Sequence, residues 1–139
     1  MVYKAFDNVI MIRLHTGDEL MQCLIDVCEK EQVDFGAIFG VGSTNDADLG
    51  VSNVGKGGFV HHYIDYQTEI ACIAGNVSIK EGKPHLHVHL TISLMGGATI
   101  SGHLFSAKVY SNAEIFLTKY AGGPLIRDAE TGFLLEEYV

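Results

Sequence analysis

Hydrophobic and polar residues alternate along much of this chain, and the period of the alternation separates strand from helix. Residues 9–15 are aliphatic or β-branched at loosely alternate positions, which predicts a strand. Thr16-Gly17-Asp18-Glu19 follows, with Thr16 and Glu19 at the spacing of a capping box. Leu20, Leu24, Val27 and Cys28 then recur at helical spacing, with Met21 and Ile25 beside them. This pattern predicts a helix over residues 18–32, packed on a sheet by its apolar face. Residues 35–41 read as a buried strand broken by Gly40-Val41-Gly42-Ser43, and residues 45–51 as a second extended piece. Gly55-Lys56-Gly57-Gly58 is a flexible turn. Residues 59–65 and 68–79 read as strands. Gly75 inside the second marks a bulge or a close backbone approach. Glu81-Gly82-Lys83-Pro84 turns the chain into a strand over residues 85–94. Met95-Gly96-Gly97 joins that strand to another over residues 98–106. Residues 113–120 and a short segment over 132–138 complete the set. One helix against many strands predicts an α+β fold, a mostly antiparallel β-sheet with one main helix packed on it.

The strand over residues 85–94 carries the clearest chemistry. It contains His85-Leu86-His87-Val88-His89-Leu90, and a strand has a side-chain period of two. His85, His87 and His89 therefore project from one face, and Leu86, Val88 and Leu90 from the other. His103 lies on the neighbouring predicted strand, where an antiparallel hairpin brings it to His87 and His89. Imidazole is the commonest protein ligand for zinc and related metals. Three neutral histidines would leave a tetrahedral zinc one open position, for water or a substrate oxygen. A reaction there also needs a carboxylate or a cation. Glu69 and Glu114 lie inside predicted strands, where burial demands a partner, and Arg13 is placed to pair with one of them or to hold an anionic substrate. Asp46 and Asp48 read as loop or edge positions, His61-His62 as exposed, and His15 as part of the helix entry. Gly40 and Gly42 lack the dinucleotide-binding pattern, and no P-loop, G-x-S-x-G or Cys-His motif is present.

Composition narrows the classes. Apolar residues at 47% and charged residues at 19% make a globular chain, and 139 residues suit one domain over 1–139. Nine Lys and Arg against seventeen Asp and Glu give a formal charge of −8, which disfavours nucleic acid and anionic membranes. No apolar run reaches the length of a membrane span, and the N-terminus lacks the pattern of a signal peptide. Three cysteines without a C-x-x-C pair predict reduced thiols and a cytoplasmic protein.

Pro84, His87-Val88-His89, Gly102-His103-Leu104 and Ala113-Glu114-Ile115, in this order, resemble the PPC domain, the plants and prokaryotes conserved domain. Arg13-Leu14-His15-Thr16-Gly17-Asp18-Glu19-Leu20 is similar to the family's strand-to-helix entry. Phe39-Gly40-Val41-Gly42-Ser43 with Leu49-Gly50, and Glu69-Ile70 with Gly75-Asn76-Val77-Ser78, are similar to its glycine-rich and central strands. The resemblance implies an α+β subunit of the stand-alone prokaryotic type, assembled as a homotrimer. In plants the domain follows DNA-binding AT-hooks, whose Arg-Gly-Arg-Pro motif is missing here. The fold of the family is also similar to that of acetolactate decarboxylase, which holds zinc with a His-x-His pair and a third histidine. That likeness implies zinc or another divalent metal on His87, His89 and His103, with His85 a weaker candidate, and a small-molecule ligand. A DNA-associated regulator and a non-catalytic assembly module are the competing implications.

Overall fold

The structure is a computed structural model, and it describes residues 1–128 and 132–135. Among the described residues, seven strands and one helix are arranged as β1 (Val2–Phe6), β2 (Val9–His15), α1 (Leu20–Lys30), β3 (Gly36–Ser52), β4 (Phe59–Ile64), β5 (Thr68–Lys80), β6 (Lys83–Ser93) and β7 (Thr99–Lys119). All pairings between these strands are antiparallel. The sheet order is β1-β2-β7-β6-β5-β3-β4, and β3 also pairs with β7, which closes the sheet on itself. The mostly antiparallel sheet with a single helix agrees with the predicted class. The helix packs on β6 and β7 through Leu20, Leu24, Val27 and Cys28. Leu86, Val88, Leu90 and Ile92 of β6 meet it in the same core, with Leu104, Ile115 and Leu117 of β7. Because alternate residues change faces, burying these leucines turns the histidines of β6 outward.

Several boundaries differ from the sequence expectation, each for a local reason. The helix begins at Leu20, not Asp18, and its N-cap is Glu19, whose carboxylate accepts the Gln22 N–H at 2.7 Å and the Ala107 N–H at 3.1 Å. Thr16 does not form the expected capping box; its hydroxyl donates to Ser111 O. Asp18 is used in the preceding turn, where it accepts the His15 N–H and pairs with the terminal ammonium at 2.7 Å. The helix stops before Gln32, which takes a left-handed φ of 52°.

The glycine-marked break within residues 35–51 is not a break. Residues 36–52 form one bent strand whose register shifts near Gly40 and Gly42. A Cβ at Gly42 would lie 2.6 Å from that of Ala113, so glycine here permits close approach of β3 and β7. Likewise β7 runs unbroken over 21 residues and joins the two strands expected at 98–106 and 113–120. The short strand expected over 132–138 falls partly outside the described residues; within them, Phe133 forms an isolated bridge with Arg127.

The turn before the histidines is tight. Glu81 and Gly82 have φ of 52° and 77° between the paired residues Lys80 and Lys83, as a two-residue hairpin turn requires. Pro84 consequently stands within β6. It pairs only with β5 there, because β7 joins β6 from His89 onward, so one edge needs no proline N–H.

Candidate metal centre

Register assembles the histidines. His89 is directly opposite His103 across β6 and β7, and His87 is two residues along β6 on the same face. One nitrogen from each of the three lies within 4.8 Å of the other two. The Nε2 atoms of His87 and His89 are 3.2 Å apart. Two nitrogens on one tetrahedral zinc, each bonded at about 2.05 Å, stand about 3.3 Å apart. The pair is thus spaced as a zinc would hold it, and a His103 nitrogen lies within 4.8 Å of both.

His87 and His103 are half-buried and His89 is exposed. Burial, then the neighbouring imidazoles, lowers the pKa of His87 and of His103 below the ordinary 6.5. Both are neutral at pH 7, the form that ligates. The donor set suits a metal in a second respect. Asn76 pairs with His87 across β5 and β6, and its buried Oδ1 has no hydrogen-bond partner. A ligating histidine ordinarily donates its other ring N–H to such an acceptor.

A pocket of about 530 Å³ opens on this nitrogen cluster. The three histidines line it with Gly50, Val51, Ser52, Phe59, Ser101 and Gly102. The Phe59 ring lies 5.6 Å from that of His103, at 27°. The glycines are steric necessities. A Cβ on Gly102 would meet Gly50 O at 2.8 Å where β3 crosses β7. Among the described residues that line the pocket, none is a carboxylate or a lysine.

The other candidates lie elsewhere in this chain. Glu69 and Glu114 are exposed, not buried within the sheet as their strand positions suggested, and share a separate cleft of about 410 Å³ with Tyr110 and Ser43. Glu69 is five residues along β5 from Ala74, the partner of His89, or roughly 16 Å. Arg13 is exposed on β2 and faces Glu114 across the β2–β7 ladder. Asp46 pairs with Lys108 at 2.7 Å. Asp48 pairs with His61 at 2.8 Å, on the aromatic side of Phe105. His85 is on the face of the triad, opposite Ser78. Its pKa is lowered by burial, then by the charges of Arg127 and Lys80. Asn76, Phe59 and Arg127 were not marked by sequence pattern. Asn76 alone had a legible signal, since it precedes the hairpin at the position that pairs with His87.

The family model described as "Plants and Prokaryotes Conserved (PCC) domain" matches residues 1–121. The chain belongs to this family. A plant- and prokaryote-conserved (PPC) protein from Pyrococcus horikoshii is similar at 26% identity, over 94% of this chain and 90% of that one, with a TM-score of 0.83. A metal-containing protein from Archaeoglobus fulgidus is 28% identical over 96% of both chains, with a TM-score of 0.81. A structure from Ralstonia eutropha JMP134, named "Putative DNA-binding protein", is 27% identical over 86% of this chain and 83% of that one, with a TM-score of 0.79. Comparison with curated proteins gives no match. Among the described residues no helix is long and apolar enough to cross a membrane.

Proposed function

We propose that this chain is one PPC domain over residues 1–139 that binds a divalent metal, zinc by ligand type, through His87, His89 and His103, and takes a small molecule beside it. The observation that carries this reading is the convergence of three imidazole nitrogens within 4.8 Å. The name of the Archaeoglobus relative as metal-containing supports it. Zinc on three histidines supplies a Lewis acid with a place for a ligand oxygen. The chain's own residues do the rest. Asn76 stands opposite His87 with a free acceptor for its ring N–H, the glycines admit the ligand, and Phe59 gives it an apolar wall. The acetolactate decarboxylase-like architecture is part of this reading and not its reaction.

The test is elemental analysis of untagged protein beside the His87→Ala/His89→Ala variant. About one zinc per chain, absent from the variant, is expected. No metal in the wild type after incubation with zinc would sink the reading.

Assembly as a homotrimer follows the family resemblance and is supported by the outer face. Met11, Phe116 and Phe39 are register neighbours across β2, β7 and β3, and Ala74 and His89 continue the row. The three large side chains are 44%, 43% and 59% exposed. Such an apolar row is covered in stable proteins. Light scattering of wild type and Phe39→Glu tests this, with a threefold fall in mass expected for the variant. The nucleic-acid reading draws support from the name of the Ralstonia relative. Salt-dependent DNA binding near physiological ionic strength would favour it, and no shift at low salt would remove it.

A further inference from the structure

We propose that His85 and Arg127 form an anion-binding subsite beside the histidine triad, for the carboxylate or phosphate group of a small ligand. Placing the ligand's other end at the triad rests on the metal reading above; the anion subsite itself does not.

The argument begins with register. Ile79 of β5 is paired with Pro84 on one side and with Ile126, in parallel, on the other. The Arg127 N–H donates to Ile79 O at 2.9 Å, and the Ile79 N–H donates to Leu125 O at 2.7 Å. Neighbouring residues on paired strands alternate faces together. Ile79 and Pro84 stand on the core side, so Lys80, His85 and Arg127 share the side that carries His87. Arg127 lies beyond residue 121, where the family match ends.

The side chain is held in place. Arg127 bridges Phe133, and its guanidinium carbon lies 4.3 Å from the centre of that ring. Its Nε is buried and has no hydrogen-bond partner. A buried guanidinium donor left unmet is costly, and its planar fork matches carboxylate and phosphate.

Cations next to three prospective metal ligands are a paradox in a chain of formal charge −8. Arginine repels a metal ion. An anion seated beside them offsets both charges. Such a ligand needs an anionic group at one end and, at the other, an oxygen donor for the triad.

The probe is methylphosphonate, titrated by calorimetry into the full chain, metal-free and zinc-loaded. Saturable binding by the wild type is expected, weakened roughly tenfold or more by Arg127→Met and less by Arg127→Lys. Lys4→Met, on the distant β1, should bind as wild type. Zinc content should be unchanged in Arg127→Met. Absence of saturable binding in both forms of the wild type, or equal binding by Arg127→Met, overturns the proposal. Binding that depends on Arg127 in a protein that takes no zinc upholds the anion subsite and removes the metal reading.

Discussion

Gly75→Ala tests whether the histidine strand is placed by backbone contact. A Cβ at Gly75 would lie 2.5 Å from His87 O, 2.9 Å from Val88 Cγ2 and 3.0 Å from Val88 Cα. The first and third of these are backbone atoms and have no rotamer to escape into. Ordinary contact starts at 3.4 Å. Accepting the methyl therefore requires β5 and β6 to part by about 0.9 Å, which breaks close packing. Overpacking of this kind costs about 1–3 kcal/mol. With an unfolding entropy of about 2.1 cal/mol/K per residue, a 139-residue chain should melt about 3 to 10 °C lower. His87 moves with its carbonyl, so zinc affinity falls too. Thermal melts at one protein concentration, with and without zinc, measure both effects. Gly55→Ala is the control. Its nearest neighbour would be Asn53 Oδ1 at 3.9 Å, and its expected change is within about 0.5 kcal/mol. A Gly75→Ala protein that melts and binds zinc like wild type would refute the steric account.

Glu19→Ala removes the acceptor of both the Gln22 and Ala107 N–H groups, and should cost about 1–2 kcal/mol in denaturant unfolding. Because folding lowers the pKa of His85, His87 and His103, the unfolded chain binds more protons below 6.5. The stability of the metal-free protein should be full above pH 6.5 and fall as acid passes through the lower folded values; a melting temperature that rises on acidification in that window would contradict it. Zinc should be released over the same range, since protons compete for the ligand nitrogens. Burial pushes the Cys28 thiol up to about 12 and leaves it 0% exposed. Mass spectrometry after iodoacetamide treatment of native protein at pH 8 should find Cys72 modified and Cys28 intact until denaturant is added.

Alternation made β2 and the histidine strand legible, because each buries one face and exposes the other. The same rule failed at β1, whose residues are nearly all exposed and show no period. It also failed at β3, where Gly40 and Gly42 signal a break locally but serve to let β3 and β7 approach, and at β7, which runs unbroken through the stretch between its two expected strands. Gly42 is only intelligible once Ala113 is known to lie against it. In the candidate centre, His87 and His89 follow from the period of two, and His103 follows from the hairpin. Asn76 follows from the β5–β6 hairpin, whereas Phe59 and Arg127 arrive through β4 and the segment after β7, so their nearness is a property of the whole fold. Glu69 and Glu114 looked buried because their neighbours are apolar, yet both point outward.

The separation of Glu69, Glu114 and Arg13 from the triad constrains any reaction. Three neutral imidazoles leave a divalent ion its full charge, and Arg127 adds to it nearby. Within one chain, the described residues lining the pocket supply no carboxylate to take a proton or to offset that charge. The negative charge must then come from the ligand, or a carboxylate must come from another subunit. The row from Met11 through Phe116 and Phe39 ends at Ala74 and His89, so a neighbour packed on those phenylalanines would stand beside the histidines. Assembly and chemistry are thereby linked in a testable order. Metal binding needs only ligands from one chain and should survive Phe39→Glu. Any turnover that draws on a second subunit's Glu69 or Glu114 should vanish in that variant while its zinc remains.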